Sequence, residues 1–163
     1  MNSFNNFNNL SKALVKKIEG DLKGFKEVSK YKVEYGIPEG SVADGENISD
    51  YAKLVDFGSP ALRIPSRPWL SSLKEKYFNE IKNDVDNALK EIKNNPQKEV
   101  KDALERNISF KLINYMRDNI LNGGWIKNSQ KTIKLKGSST PLINEGNMLR
   151  SVNSFATKEV GND

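Results

Sequence analysis

Few side chains in this sequence could perform acid–base or nucleophilic chemistry at neutral pH. The 163-residue chain has no histidine and no cysteine, which removes the usual catalytic base, thiolate nucleophiles and Cys/His zinc sites. Two acidic pairs remain as candidates for carboxylate chemistry, Asp84 with Asp86 and Asp102 with Glu105. Both pairs stand among lysines on predicted solvated helix faces, where nothing shifts a carboxyl pKa towards neutrality. We therefore expect no catalytic residue and no metal site.

The serines lack the surroundings that activate a nucleophile. No G-x-S-x-G turn accompanies them, and the companion motifs of an S-x-x-K nucleophile are missing. Lys136 to Ser139 resembles a phosphate-binding loop only in part, because a preceding strand and spaced glycines are lacking. We expect no bound cofactor and no enzymatic activity.

The most unusual segment runs from Arg63 to Trp69, with the sequence R-I-P-S-R-P-W. Two prolines restrict the backbone, two arginines offer planar donors, and the tryptophan adds a large apolar surface. Such a combination suits a preorganised surface for protein contacts. An equally good alternative is that the tryptophan fills the core while the prolines stiffen the approach. The predicted protein-interaction residues are Arg63, Ile64, Pro65, Arg67, Pro68 and Trp69.

A second candidate surface is the basic segment from Ile126 to Lys136, which contains no acidic residue. Its lysines could follow a phosphate backbone or contact a neighbouring subunit, or they could simply be solvated. The net charge of +5 comes mainly from lysine, and Trp125 is the only aromatic residue nearby, so we do not favour DNA binding. The predicted contact residues are Lys127, Lys131, Lys134 and Lys136.

Hydrophobic periodicity predicts the elements that position these segments. Apolar residues recur at helical spacing from Leu10 to Phe25, alternate as in a strand from Tyr31 to Ile37, and recur at helical spacing again from Pro68 to Ile92 and from Pro96 to Ile120. The last two helices are joined by a short link, which predicts an antiparallel pair. A loop is expected at 38–47, and the three prolines within 59–68 predict an extended, semi-rigid connector there.

The remaining elements are less well defined by their patterns. The type of the apolar element at 51–57 stays open, 132–136 is predicted as a short strand or hairpin arm, and 148–156 as a helix turn or a strand. The fold class is therefore α+β, with a small antiparallel sheet packed against two or three amphipathic helices. We expect residues 10–163 to form a single domain and the Asn-rich residues 1–9 to be a candidate disordered N-terminus. No stretch reaches membrane-spanning length, which favours a soluble protein of the cytoplasm.

The order of several motifs resembles one family of phage proteins. Ile64 to Leu70 is similar to the "I-P-A-R-P-F-L" signature of phage virion morphogenesis and tail-completion proteins, the family that includes the G protein of phage Mu. Upstream, Val33 to Ile37 resembles its "V-x-V-G-I" strand, and Ala52 with Asp56-Phe57-Gly58 resembles "A-x-x-x-E-F-G". Downstream, 128–146 resembles "N-S-x-x-T-I-x-x-K-G-S…P-L-I-D-T-G".

The resemblance spans Tyr31 to Val152, most of the chain. The sequence departs from the family pattern at Asp56, Ser66, Trp69, Asn144 and Glu145, where the family has Glu, Ala, Phe, Asp and Thr. The resemblance implies an α+β structural protein of the virion, assembled in the bacterial host cytoplasm, at the head-proximal end of the tail or in the neck. It also implies tail or neck proteins as partners, a homo-oligomeric ring in the particle, and no catalytic residues. A nucleic-acid-binding module that uses residues 127–136 is the second hypothesis.

Overall fold

The computed structural model describes residue 16, residues 19–95 and residues 99–159. Residues 1–9, predicted as a disordered N-terminus, lie outside this range, as do residues 10–15, 17 and 18 of the first predicted helix. The described chain is an α+β domain in which helices pack around small antiparallel strand pairs, which confirms the predicted fold class. Its elements are a helix at 19–28 (α1), β1 Tyr31–Gly36, β2 Val42–Ala43, β3 Glu46–Asn47, α2 Ile48–Phe57, α3 Leu73–Lys76, α4 Phe78–Asn94, α5 Val100–Leu104, a π-helical turn Glu105–Ser109, α6 Phe110–Asn122, α7 Gln130–Lys136, α8 Asn147–Ser151 and β4 Asn153–Lys158.

The antiparallel helix pair that the sequence predicts is present. Tyr77, just before α4, donates a hydrogen bond to Asp118 near the end of α6, while Glu91 near the end of α4 pairs with Arg106. The first helix of this pair was predicted to begin at Pro68. Residues 68–72 instead form irregular turns, and α3 begins only at Leu73. Two backbone N–H groups of this irregular segment donate to a buried carboxylate, which is described below.

The second helix of the pair contains a wider turn that its sequence explains. Six apolar residues recur there at every fourth position, and in an ideal α-helix such a stripe drifts by about 40° per step. The π-helical turn Glu105–Ser109 holds more residues than an α turn, so it offsets the drift and keeps the stripe on the core. All six side chains are buried: Val100, Leu104, Ile108, Leu112, Met116 and Ile120.

Strand β1 is confirmed, and it pairs with β4 in antiparallel register from Tyr31 opposite Lys158 to Gly36 opposite Asn153. The segment at 148–156, whose type stayed open, contains both a helical turn, α8, and most of β4. The predicted loop at 38–47 includes the short β2–β3 hairpin, which turns at Asp44 and Gly45, both with positive φ.

Two further segments are helical. The undecided element at 51–57 lies in α2, where the side chain of Asn47 accepts a hydrogen bond from the backbone N–H of Asp50 and caps the helix. The strand predicted at 132–136 is wrong, because this segment forms α7. Ser129 caps its first turn through the N–H of Thr132, and Gly137 ends it in the left-handed conformation.

Candidate functional site: a basic cleft beside the connector

The connector, residues 59–68, was predicted to be extended, but its first part folds back on itself between α2 and α3. Ser59 and Ile64 form a two-way backbone bridge that closes a tight loop over 60–63. Gly58 precedes it with φ +76°, and a Cβ atom there would lie 2.6 Å from the backbone nitrogen of Ser66. The close approach of two backbone segments thus explains why the chain has glycine at this position.

Trp69 belongs to the core and not to a contact surface. Its side chain is 2% exposed, and its indole Nε1 donates a hydrogen bond of 3.1 Å to the carbonyl oxygen of Ala52 in α2. Its own carbonyl oxygen accepts a 2.7 Å hydrogen bond from Asn119 of α6. The prediction that Trp69 contacts a partner needs correction, because the side chain is enclosed within the chain; the alternative role as a core residue is the one observed.

Asp56 organises the irregular turns that follow the connector. Its carboxylate is buried, and Oδ1 accepts hydrogen bonds from the backbone N–H groups of Leu70 and Ser71, at 2.8 and 3.3 Å. These bonds satisfy amides that would otherwise be left unpaired where the helix has not yet begun. Asp56 belongs to the segment that resembles the "A-x-x-x-E-F-G" motif, but nothing in the sequence indicates which groups its carboxylate binds.

Arg67 links the connector to the segment that follows α6. It is only 7% exposed, and its guanidinium donates two hydrogen bonds, from Nε to the carbonyl oxygen of Ile126 (3.1 Å) and from Nη2 to Oδ1 of Asn128 (3.0 Å). Both acceptors are neutral. Burial lowers the pKa of Arg67 from its ordinary value, and the nearby Tyr51 partly opposes that effect. Arg67 was predicted to contact a partner protein directly. Only the part of its guanidinium that lines a cleft is accessible for such a contact.

That cleft, of about 340 Å³, lies between α2, the connector and α7, and we call it the basic cleft. It brings together residues from both surfaces predicted from the sequence. Pro68, Trp69, Lys131 and Lys134 do not line it. Its walls are formed by Tyr51, Val55, Arg63, Ile64, Pro65, Arg67, Lys127, Asn128, Ser129, Thr132 and Lys136.

Four of the lining residues are cations and none is acidic: Arg63, Arg67, Lys127 and Lys136. Within the described ranges, none of the four forms an ion pair with a carboxylate. Burial, and secondarily the charge of Arg67, lower the pKa of Lys136. The cleft therefore concentrates positive charge that the described part of the chain does not neutralise, which suits the binding of an anionic group.

A second cluster of charged residues lies between α4 and α6 and corrects a prediction. Asp84 was expected on a solvated helix face, yet it is 4% exposed and accepts hydrogen bonds from Lys111 Nζ (2.5 Å) and Tyr115 Oη (2.7 Å). Periodicity alone misplaced it because Asp84 lies beside the apolar stripe of α4, where α6 covers it. We call these three residues the Asp84 network.

No group of three or more acidic residues in the described ranges is arranged to hold a metal ion. Among those same ranges, no helix is long and apolar enough to cross a membrane. Comparison with protein families gave no match, and neither did comparison with characterised proteins or with solved structures. The motif resemblance to phage tail-completion proteins therefore remains a hypothesis about function.

Proposed function

We propose that this chain is a non-enzymatic phage structural protein that acts in tail completion or head–tail joining through protein–protein contacts. The motif order over Tyr31 to Val152 supports the proposal, although no family comparison supports it independently. The proposal places the protein in the virion, after assembly in the bacterial host cytoplasm, with tail or neck proteins and further copies of the chain as its neighbours.

The observation that carries the proposal is the exposure of large apolar side chains around the basic cleft. Leu62 at the connector tip is 64% exposed, Ile126 before α7 is 62% exposed, and Leu135 in α7 is 79% exposed. Single exposed apolar residues are ordinary, but each of these is the chain neighbour of a cation that lines the same cleft: Arg63, Lys127 and Lys136. Such a combination of apolar rim and charged centre is typical of a surface covered by another protein.

Assembly into a ring places a second demand on the surface. A closed ring requires one patch of each copy to meet a different patch on the next. The cleft side supplies one patch. The sheet formed by β1 and β4 is our candidate for the other patch. It has only two strands in the described ranges, and its side chains Tyr35 and Phe155 are 43% and 42% exposed.

Deletion of the gene in a phage-producing strain tests the proposal. We expect electron micrographs to show filled heads beside separate or malformed tails, and mass spectrometry to detect the protein in complete wild-type particles. Complementation with Leu62→Asp combined with Leu135→Asp should fail, whereas Lys82→Asp, at an exposed position of α4, should restore assembly. Intact infectious particles from the deletion strain would refute the joining role.

A nucleic-acid-binding module is the second candidate, and one observation favours it. Lys131 and Lys134 are exposed on α7 and do not line the basic cleft, so they are accessible to a phosphate backbone. If they do, affinity for DNA falls steeply as salt rises, since each phosphate contact releases counterions. A binding constant that does not change with ionic strength would exclude this candidate.

A further inference from the structure

The charge of Arg67 lacks a partner of opposite sign in the described part of the chain. Its two hydrogen bonds end on a backbone carbonyl and a side-chain amide, and no described residue accepts from its other terminal nitrogen, Nη1. A buried charge is costly unless it is paired as well as hydrogen-bonded. Arg67 lines an open cleft, so the missing negative charge can come from outside the chain.

The neighbours of Arg67 increase this demand. Lys127 and Lys136 reach the same cleft, and Lys136 is close enough to Arg67 for the two charges to repel each other. An anion bound between them would relieve that repulsion. Hydroxyl donors stand beside the cations, on Tyr51, Ser129 and Thr132.

The shape of the basic cleft distinguishes between anions. All four of its cations line a single cleft of about 340 Å³, a volume that suits one anionic group better than a run of successive phosphates. Val55, Ile64 and Pro65 add an apolar part to its lining, which suits the methylene groups of an acidic side chain. The guanidinium is planar and presents paired donors that match the two oxygens of a carboxylate.

We propose that the basic cleft is a carboxylate-binding site that receives a glutamate-containing segment of a neighbouring protein, with Arg67 as its central donor. The proposal rests on the proposed assembly function and names the chemistry of its contact. Arg67 is held in place by Ile126 and Asn128, so the donor is oriented before the partner arrives.

Fluorescence anisotropy of a short labelled peptide with paired glutamates tests the site on the full chain. A peptide with glutamines in their place is the ligand control. We expect Lys136→Gln and Lys127→Gln each to weaken binding of the glutamate peptide roughly tenfold. Lys131→Gln and Lys134→Gln remove the same charge outside the cleft, and we expect them to change the affinity less than about twofold.

Arg67 itself is tested with Arg67→Lys, which keeps the charge but loses the paired donors. Its folding is first verified by its unfolding transition, and we then expect roughly tenfold weaker peptide binding. The proposal is overturned if the glutamate and glutamine peptides bind alike, or if the Lys134→Gln variant loses as much affinity as Lys136→Gln. It is also overturned if a single-stranded oligonucleotide or inorganic phosphate displaces the labelled peptide at a lower concentration than the unlabelled glutamate peptide does.

This experiment separates the site from the function on which it rests. Glutamate-specific binding together with intact particles from the deletion strain would support the site and refute the joining role. Defective particles together with absent peptide binding would support the joining role and refute the site.

Discussion

The Asp84 network and the basic cleft both place charged groups inside the protein, and they differ in whether those charges are matched. Asp84 has a cation, Lys111, and a hydroxyl donor, Tyr115, so its carboxylate is satisfied within the helix pair. Arg67 has only neutral acceptors and shares its cleft with three more cations. The comparison indicates that the first cluster holds the fold together, whereas the second is organised for something outside it.

The largest expected effect tests whether the end of the connector belongs to the core. Trp69→Ala should lower the free energy of unfolding by about 3–5 kcal/mol, because it removes a large buried side chain and leaves a cavity. Trp69→Phe keeps most of the apolar volume but loses the hydrogen bond to Ala52, so we expect about 1–2 kcal/mol. Urea denaturation measures both values. A Trp69→Ala loss below about 1 kcal/mol would contradict the core assignment.

The next largest effect tests whether the Asp84 network stabilises the helix pair. Asp84→Ala leaves Lys111 without its partner, but the Lys111 side chain is 42% exposed and can regain water, so we expect a loss of about 2 kcal/mol. Asp86→Ala, at an exposed position of the same helix, is the control and should cost at most about 0.5 kcal/mol. Equal losses from the two variants would show that the Asp84 network does not stabilise the helix pair.

The same cluster predicts a dependence of stability on alkaline pH. Burial and the hydrogen bond to Asp84 raise the pKa of Tyr115 from 10.0 to about 12. A raised folded-state pKa means that this contribution is complete below pH 10 and is lost as pH rises towards 12. The Tyr115→Phe variant should therefore lose less stability over that interval than the wild type in thermal melts.

The smallest effect concerns the basic cleft, where we expect a substitution to raise the free energy of unfolding and not to lower it. The lowered pKa of Lys136 means that the folded state disfavours its charge, so Lys136→Gln should raise the free energy of unfolding at neutral pH by about 0.5 kcal/mol or less. A clear loss of stability in the same denaturation assay would indicate that Lys136 has an internal partner. The contrast with Asp84→Ala would then disappear.

The sequence was sufficient for those parts of the fold in which periodicity and burial agree. The apolar stripes of α4 and α6 and the alternation in β1 were predicted from spacing alone. The type of α7 was predicted wrongly, because Ile133 and Leu135 stand two residues apart, which is the spacing of one face of a strand. Its helix is set by the Ser129 cap and the Gly137 end, which carried more information than composition.

The candidate site was predicted in part. The sequence singled out Arg63, Arg67, Lys127 and Lys136. It could not show that they share one cleft, because Arg67 and its partner Asn128 are 61 residues apart in the sequence. It also could not choose between core and surface for Trp69. That choice depends on whether α2 and α6 approach the indole ring, which is a tertiary contact without a local sequence signal.

The most direct test of the central comparison is the Nε–H signal of Arg67 in two-dimensional NMR spectra. We predict that this proton is protected from solvent exchange by its hydrogen bond to Ile126, and that its signal shifts when the glutamate peptide is added. Under the same conditions, the signal of Arg106, which already pairs with Glu91, should not move. If the Arg67 proton exchanges rapidly, or if its signal shifts no more than that of Arg106, the account is contradicted. The charges of the basic cleft would then not differ from the internally matched charges elsewhere in the protein.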